Sequence, residues 1–348
     1  MRILIATVQV PFVRGGAEVL AEGLRNALSV EGHETDVVAF PFKWYPPERI
    51  LDHMLACRLF DLTEASGTGV DMVIGLKFPA YLLSHPNKVL WILHQHRGAY
   101  DLWDREVGDL INQPTGARVR SAIRWADEQL IPQAKAVFTI ARNVSRRLKE
   151  YNNIDSEPLY NPPPEADLFY WEEAGDYFFL PSRLCALKRQ DLVVKALAVT
   201  RQPVRVRFAG APENAANLDS LKSLASELGV AHRVEWLGPI NEDEKRRLYA
   251  RALAVIFPPL DEDYGYVTLE GMLASKPIIT CTDSGGPLEF VVDGQTGFIT
   301  ASTPQAIASA MDRLWEDPGL ARALGQAGRE HYYSMGITWP NVVRRLLS

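Results

Sequence analysis

Residues 253–281 read LAVIFPPLDEDYGYVTLEGMLASKPIITC. Leu253–Phe257 is an unbroken apolar run, the pattern of a strand covered on both faces. Pro258 and Pro259 end it, since proline cannot donate to a sheet ladder. Thr268–Ala274 reads as a helix, and Pro277–Cys281 as a second short buried strand. A strand, a loop rich in carboxylates, a helix and another strand make one βαβ unit, whose crossover requires the two strands to run parallel.

The same alternation extends in both directions. Tyr177–Leu180, Val204–Ala209 and Arg233–Leu237 read as strands in the second half of the chain. Arg2–Val8, Thr35–Phe40, Asp71–Gly75, Lys88–Leu93 and Ala136–Ile140 do so in the first half. Helical segments lie between them, such as Ala17–Val30, with Leu20, Leu24 and Leu28 on one face and Gly32 as its stop. This predicts an α/β protein of two Rossmann-like, doubly wound parallel-sheet domains. Asn161–Glu165, NPPPE, is the expected linker, because three prolines can continue neither a helix nor a central strand. An ordinary proline-rich loop is the alternative reading; the restart of strand–helix alternation beyond it favours the linker. The expected domains are therefore residues 1–162 and 163–330.

Composition narrows the function. The 348 residues are 47% apolar and 23% charged, an ordinary globular balance. A net charge of −6 argues against a nucleic-acid partner, which would call for a basic face. No apolar run reaches the ~18 residues of a membrane span, and MRILIATVQV reads as a buried strand rather than a signal peptide. Cys57, Cys185 and Cys281 stand alone, which fits a reducing cytoplasm and suggests no zinc site.

Ligands of open α/β sheets bind beyond the carboxyl ends of the strands. Two such sheets facing each other would form a cleft, so the strand-to-helix loops are where chemistry is expected. The first is Arg14-Gly15-Gly16-Ala17-Glu18, where paired glycines let backbone approach a ligand and the following helix N-terminus favours an anion. A simple turn is an equal alternative, and without GxGxxG a dinucleotide fold has no support. Arg183 and Lys188 share one loop and could grip a diphosphate from two sides, or be a solvated basic loop. Glu262 and Glu270 have seven residues between them, one on a loop and one on the following helix; carboxylates there suit sugar and ribose hydroxyls, or plain surface charge. Gly265 between them would let amides turn to a ligand. Ser284-Gly285-Gly286-Pro287-Leu288-Glu289 offers two glycine amides, with Pro287 suited to a helical first turn. Asp293-Gly294-Gln295-Thr296-Gly297 reads as a turn into a short strand. His94 and His96 flank Gln95 directly after a strand, where a histidine is more often structural or merely exposed; without a third ligand they make no metal site.

Taken in order, these features resemble glycosyltransferase family 4, the retaining glycosyltransferases of GT-B fold. The resemblance spans nearly the whole chain and is strongest from Tyr177 to Ile299. The family's glutamate pair matches Glu262 and Glu270, and its diphosphate-holding Arg and Lys match Arg183 and Lys188. Its Gly-Gly segment matches Ser284–Glu289, its Asp-Gly-x-Thr-Gly turn matches Asp293–Gly297, its glycine loop looks like Gly15-Gly16-Ala17-Glu18, and its active-site histidine looks like His96. Asp263 stands where the family commonly has Gly, Tyr266-Val267-Thr268 replaces an apolar-Pro segment, and Pro162-Pro163-Pro164 replaces Gly-Val-Asp. Asp261-Glu262-Asp263 also fits the D-x-D pattern that holds a metal in some glycosyltransferases, but Glu262 fits the longer pattern better.

The resemblance implies two Rossmann-like domains facing across a cleft, acceptor on the first and nucleotide sugar on the second, with a C-terminal helix at about 331–348 packing back on the first. It implies transfer of a sugar, with retention of configuration, from a UDP- or GDP-linked donor to an acceptor hydroxyl in bacterial polysaccharide or glycolipid assembly. Arg183 and Lys188 would stabilise the leaving diphosphate, making cofactor and metal unnecessary. Glu262 and His96 would serve the donor sugar, and Glu270 the ribose. Gly15, Gly16, Asp263, Tyr264, Gly265, Ser284, Gly285 and Gly286 would complete the donor site. The acceptor would be a glycan or lipid-linked. The segment Pro41-Phe42-Lys43-Trp44-Tyr45-Pro46-Pro47 is either a peripheral contact with such an acceptor or with the inner membrane face of a cytoplasmic protein, or a plain surface loop. The alternative functions are a GT-B-fold nucleotide-sugar epimerase and a non-catalytic nucleotide-sugar-binding protein.

Overall fold

A computed structural model of the chain describes residues 1–12, 15–105 and 108–348. They divide into two units, Met1–Pro164 with Thr338–Ser348, and Glu165–Ile337. In the first unit the strands are β1 (Arg2–Gln9), β2 (Glu34–Pro41), β5 (Met72–Gly75), β6 (Lys88–Ile92), β7 (Ala136–Thr139) and β8 (Glu157–Pro158), and a two-residue hairpin supplies β3 (Glu64–Ala65) and β4 (Thr68–Gly69). The main sheet runs β2-β1-β5-β6-β7-β8, with every pair parallel. All of β5 and β6 is buried, as their continuous apolar runs require. Helices α1 (Gly16–Val30), α2 (Glu48–Leu59), α3 (Gly116–Leu130) and α4 (Arg142–Asn152) flank it. Leu20, Leu24 and Leu28 are the buried stripe of α1, and Gly32, at φ +84, follows its C-terminus as expected.

The second unit holds β9 (Tyr177–Pro181), β10 (Arg205–Ala209), β11 (Val234–Gly238), β12 (Ala254–Ile256), β13 (Ile278–Cys281) and β14 (Gly297–Thr300), in the order β11-β10-β9-β12-β13-β14, again all parallel. Its helices are α5 (Gln190–Leu197), α6 (Ala215–Glu227), α7 (Glu242–Arg251), α8 (Tyr266–Leu273), α9 (Pro304–Glu316) and α10 (Pro318–Ser334). In this sheet the chain leaves β9 toward β10 and β11, then returns to β12 on the other side. The place where strand order reverses, between β9 and β12, is where a doubly wound sheet opens a ligand crevice.

The division differs from the expected 162/163 and 330/331 boundaries. Asn161, Pro162 and Pro163 are buried with the first unit, so the break comes after Pro164. Residues 331–334 still belong to α10, and only α11 (Trp339–Leu346) returns to the first unit. The return follows Gly336 at φ +62, which turns the chain before Thr338 caps α11. There Trp339 packs at the edge of Trp91, with ring centroids 6.3 Å apart.

Candidate functional site

The switch point of the second unit gathers three loops. Lys188 ends a short 3-10 turn, Ala186–Lys188, in the loop after β9, and Glu262 lies in the loop after β12. Their side chains form an ion pair, with the Lys188 ammonium 5.3 Å from the Phe257 ring centre. The Glu262 backbone is zipped to the loop after β13: its amide donates to the Ser284 carbonyl (2.9 Å), and its carbonyl accepts from the Gly286 amide (2.8 Å). Leu260 donates to the Leu187 carbonyl at 2.8 Å, joining the loops after β12 and β9.

Arg189, which sequence reasoning passed over, holds this arrangement from behind. Its guanidinium forks onto Asp283 at 2.7 and 2.9 Å and donates to the Pro258 and Pro259 carbonyls at 2.6 and 2.7 Å. One planar group thus spans the loops after β9, β12 and β13, which a lysine could not do. Burial pushes the Asp283 carboxyl up, but hydrogen bonds from Arg189 and Ser302, with the Arg189 charge, together outweigh it and hold the group below its ordinary range. The tandem Lys188-Arg189 was the available signal. Arg183 is exposed, and its guanidinium bonds to no carboxylate among the described residues.

The glycines work differently from expectation. Both amides of Gly285-Gly286 were expected to face a ligand, but the Gly286 amide is used by Glu262. A Cβ on Gly286 would stand 2.5 Å from the Tyr264 carbonyl oxygen, so this glycine permits close loop packing. The Gly285 amide makes no hydrogen bond among the described residues. Ser284 is wholly buried, and its hydroxyl accepts from the Cys281 amide at 3.1 Å, closing its own turn. Gly265, at φ +90, starts α8, where a left-handed residue is needed. Tyr264 is buried with its ring against Tyr266 and Phe290, while Asp263 is partly exposed.

Glu270 sits on α8 and is 5% exposed. One oxygen meets Lys245 at 3.0 Å and the other accepts from the Tyr249 hydroxyl at 2.7 Å. Burial alone would lower Lys245, but Glu270 and Glu242 hold it above its ordinary value; burial and then Glu270 raise Tyr249 strongly. The spacing of Lys245 and Tyr249 on one face of α7 was the signal for this pair.

In the first unit, Gly15 caps α1, and its amide donates to the Glu18 carboxylate at 2.7 Å. The anion expected at this helix start is thus supplied by the chain itself; Arg14 lies outside the described residues. His96 follows β6, is 9% exposed, and lies at the edge of the Phe78 ring with centroids 5.5 Å apart. Its Nε2 is 3.8 Å from Asp109, and burial holds the ring below its ordinary value, with Asp109 opposing. His94 turns instead to the Gln95 carbonyl at 2.6 Å. Trp44 and Tyr45 are exposed, with Lys43 4.9 Å over the Tyr45 ring. Among the described residues no cluster of three metal-ligating side chains occurs, and no helix is long and apolar enough to cross a membrane.

Residues 171–331 match the family model described as glycosyl transferases group 1. Among curated proteins, the alpha-1,3/1,6-mannosyltransferase ALG2 of Dictyostelium discoideum is 39% identical over 121 residues, 35% of this chain and 29% of that protein. The chain spans less than two thirds of the length of the curated relatives it matches. Among solved structures, sucrose-phosphate synthase of Thermosynechococcus elongatus superposes with a TM-score of 0.78 at 16% identity, covering 99% of this chain and 97% of that one. HepE of Anabaena, in complex with UDP and glucose, does so with a TM-score of 0.70 at 17% identity, covering 100% and 98%. These likenesses establish the fold, the two-sheet GT-B architecture.

Proposed function

We propose, from the match of residues 171–331 to the family model described as glycosyl transferases group 1, that the chain moves a sugar from a UDP- or GDP-linked donor to an acceptor hydroxyl, with retention of configuration and without a metal. The observation that carries this reading is the meeting of Lys188 and Glu262 at the switch point of the second sheet. There a cation for the diphosphate and a carboxylate for the sugar hydroxyls stand within one hydrogen bond of each other. The complex of the HepE structure with UDP and glucose supports the class of donor.

In this reading a diphosphate competes with Glu262 for Lys188, and Arg183 and the Gly285 amide add to the pull. Glu262, released from its lysine, accepts from the hydroxyls of the donor sugar, and Glu270 accepts from the ribose. As the sugar–phosphate bond breaks, the electron pair stays with the diphosphate, whose new charge the cations stabilise. The acceptor oxygen bonds to the anomeric carbon on the same face, and its proton passes to the departing phosphate oxygen. His96 serves the same transfer. The physiological setting is bacterial polysaccharide or glycolipid assembly in the cytoplasm, with a glycan or lipid-linked acceptor.

The test is a panel of UDP- and GDP-sugars with glycan and lipid-linked acceptors, following nucleoside diphosphate release and the anomeric signal of the product by NMR. Lys188→Ala and Arg183→Ala should each lower turnover by a factor of roughly 30 to 1000, the equivalent of ~2–4 kcal/mol of lost electrostatic stabilisation. Near-normal turnover in both variants, or an inverted product, would overturn the assignment. Conversion of the donor to its epimer with no acceptor present would establish the epimerase instead.

A further inference from the structure

We propose that Asp127 is a positioning residue for His96, gripping the loop that carries it on both sides; the inference rests on the reading in which His96 takes part in transfer. Asp127 lies on α3 and is wholly buried. Its Oδ1 accepts from the Tyr81 hydroxyl at 3.0 Å. Its Oδ2 accepts from the Tyr100 hydroxyl at 2.8 Å and from the Gln95 amide at 3.2 Å. Asn152 closes the ring, accepting from Gln95 at 2.7 Å and donating to the Tyr100 hydroxyl at 3.3 Å.

Two of these donors flank His96. Gln95 immediately precedes it. Tyr100 ends the 3-10 turn Arg97–Ala99, which His96 caps by accepting the Ala99 amide on its carbonyl at 2.8 Å. One carboxylate therefore holds the residue before His96 and the residue four beyond it. The imidazole itself has little of its own to fix it: Nδ1 is buried with no hydrogen-bond partner among the described residues, and Nε2 reaches Asp109 only at 3.8 Å. That is outside hydrogen-bond range, so the ring's aim must come from its backbone and from Phe78.

The chemistry of the clamp argues for a role beyond filling space. No lysine or arginine nitrogen bonds to Asp127 among the described residues; its donors are all neutral. A carboxylate in such a place is costly, and apolar residues of similar volume would pack it more cheaply. Burial accordingly raises its carboxyl to about 7, with the three hydrogen bonds opposing. What a single buried acceptor adds is registration, because three segments must meet it at once.

The test uses the full chain, ring-15N-labelled at histidine, with Asp127→Asn and Gln95→Met, the second of which leaves the buried carboxylate in place if the first fails to fold. Both should displace or broaden the His96 ring signals, assigned with His96→Ala, while His33 and His232 stay unmoved. Release of nucleoside diphosphate from UDP-glucose and GDP-mannose should fall at least tenfold in kcat with donor KM within twofold. Neither change should lower turnover further in the His96→Ala background, since residues acting as one unit are not additive. Unmoved His96 signals, or a loss that multiplies fully onto that of His96→Ala, would overturn the positioning role while the histidine's own assignment stood. Unaltered turnover in His96→Ala would remove the reading on which it rests.

Discussion

Glu262 and Glu270 are held by different means, and this sets different consequences for replacing them. Glu270 is buried between Lys245 and Tyr249, so Glu270→Gln removes the buried one of the two carboxylates that face the Lys245 ammonium, leaving it only the more exposed Glu242. With Glu242 still paired to Lys245 at 2.7 Å, the loss is that of one charged buried hydrogen bond, ~1–3 kcal/mol in stability, with a similar loss in nucleoside-diphosphate affinity if this carboxylate holds the ribose. Glu262 is partly exposed on a loop, and its pair with Lys188 contributes less to the fold. Glu262→Gln should therefore depress kcat while leaving UDP or GDP affinity nearly unchanged. Thermal unfolding and isothermal titration of both variants separate the two; affinity lost in Glu262→Gln and kept in Glu270→Gln would reverse the roles. At this scale the sequence carried residue types and spacing but not partners. Seven intervening residues identified the glutamates, whereas the Lys188–Glu262 pair depends on chain segments 74 residues apart. Nor could glycine spacing reveal that Gly286 gives its amide to Glu262 and not to a ligand.

The strands were legible because a parallel sheet covered on both faces demands continuous apolar runs, and β5, β6, β9 and β13 have them. β8 was not, because its two residues, Glu157 and Pro158, carry no pattern at all and gain their place from pairing with β7. The fate of the C-terminal helix was half legible: its return to the first unit was expected, but the point of return is set by Gly336 and by what Trp339 meets. A Cβ placed on Gly23, in the middle of α1, would lie 2.4 Å from Cζ2 of Trp339. Elsewhere in a helix, Gly→Ala stabilises by about 1 kcal/mol through propensity. Here the added methyl must displace the indole, at ~1–3 kcal/mol for overpacking. Gly23→Ala should thus fail to raise Tm, or lower it, and should hasten proteolysis after Ile337 as α11 loosens. A Tm raised as in an open helix would show that Trp339 does not sit against α1.

For the molecule as a whole, the charge balance frames the proposal that no metal is needed. The chain is net negative by 6, so a donor with a dianionic diphosphate is repelled at long range and must be held by local cations. Arg183 and Lys188 supply two, one exposed and one already balanced by Glu262, and Arg189 is committed to Asp283. In the proposed reading, binding the diphosphate would exchange one anionic partner of Lys188 for another, and Arg183 with amide dipoles would supply the remaining stabilisation without a metal. Turnover should accordingly survive saturating EDTA and should be unchanged when Mg²⁺ or Mn²⁺ is added at constant ionic strength. The constancy matters: added salt of any kind screens both the long-range repulsion and the local attraction, and a metal effect measured without it would be misread. The competing arrangement would place a cation on Asp261 and Asp263, either side of Glu262. Activity abolished by EDTA, restored by Mn²⁺ and lost again in Asp261→Asn or Asp263→Asn would establish that arrangement and overturn the metal-free one.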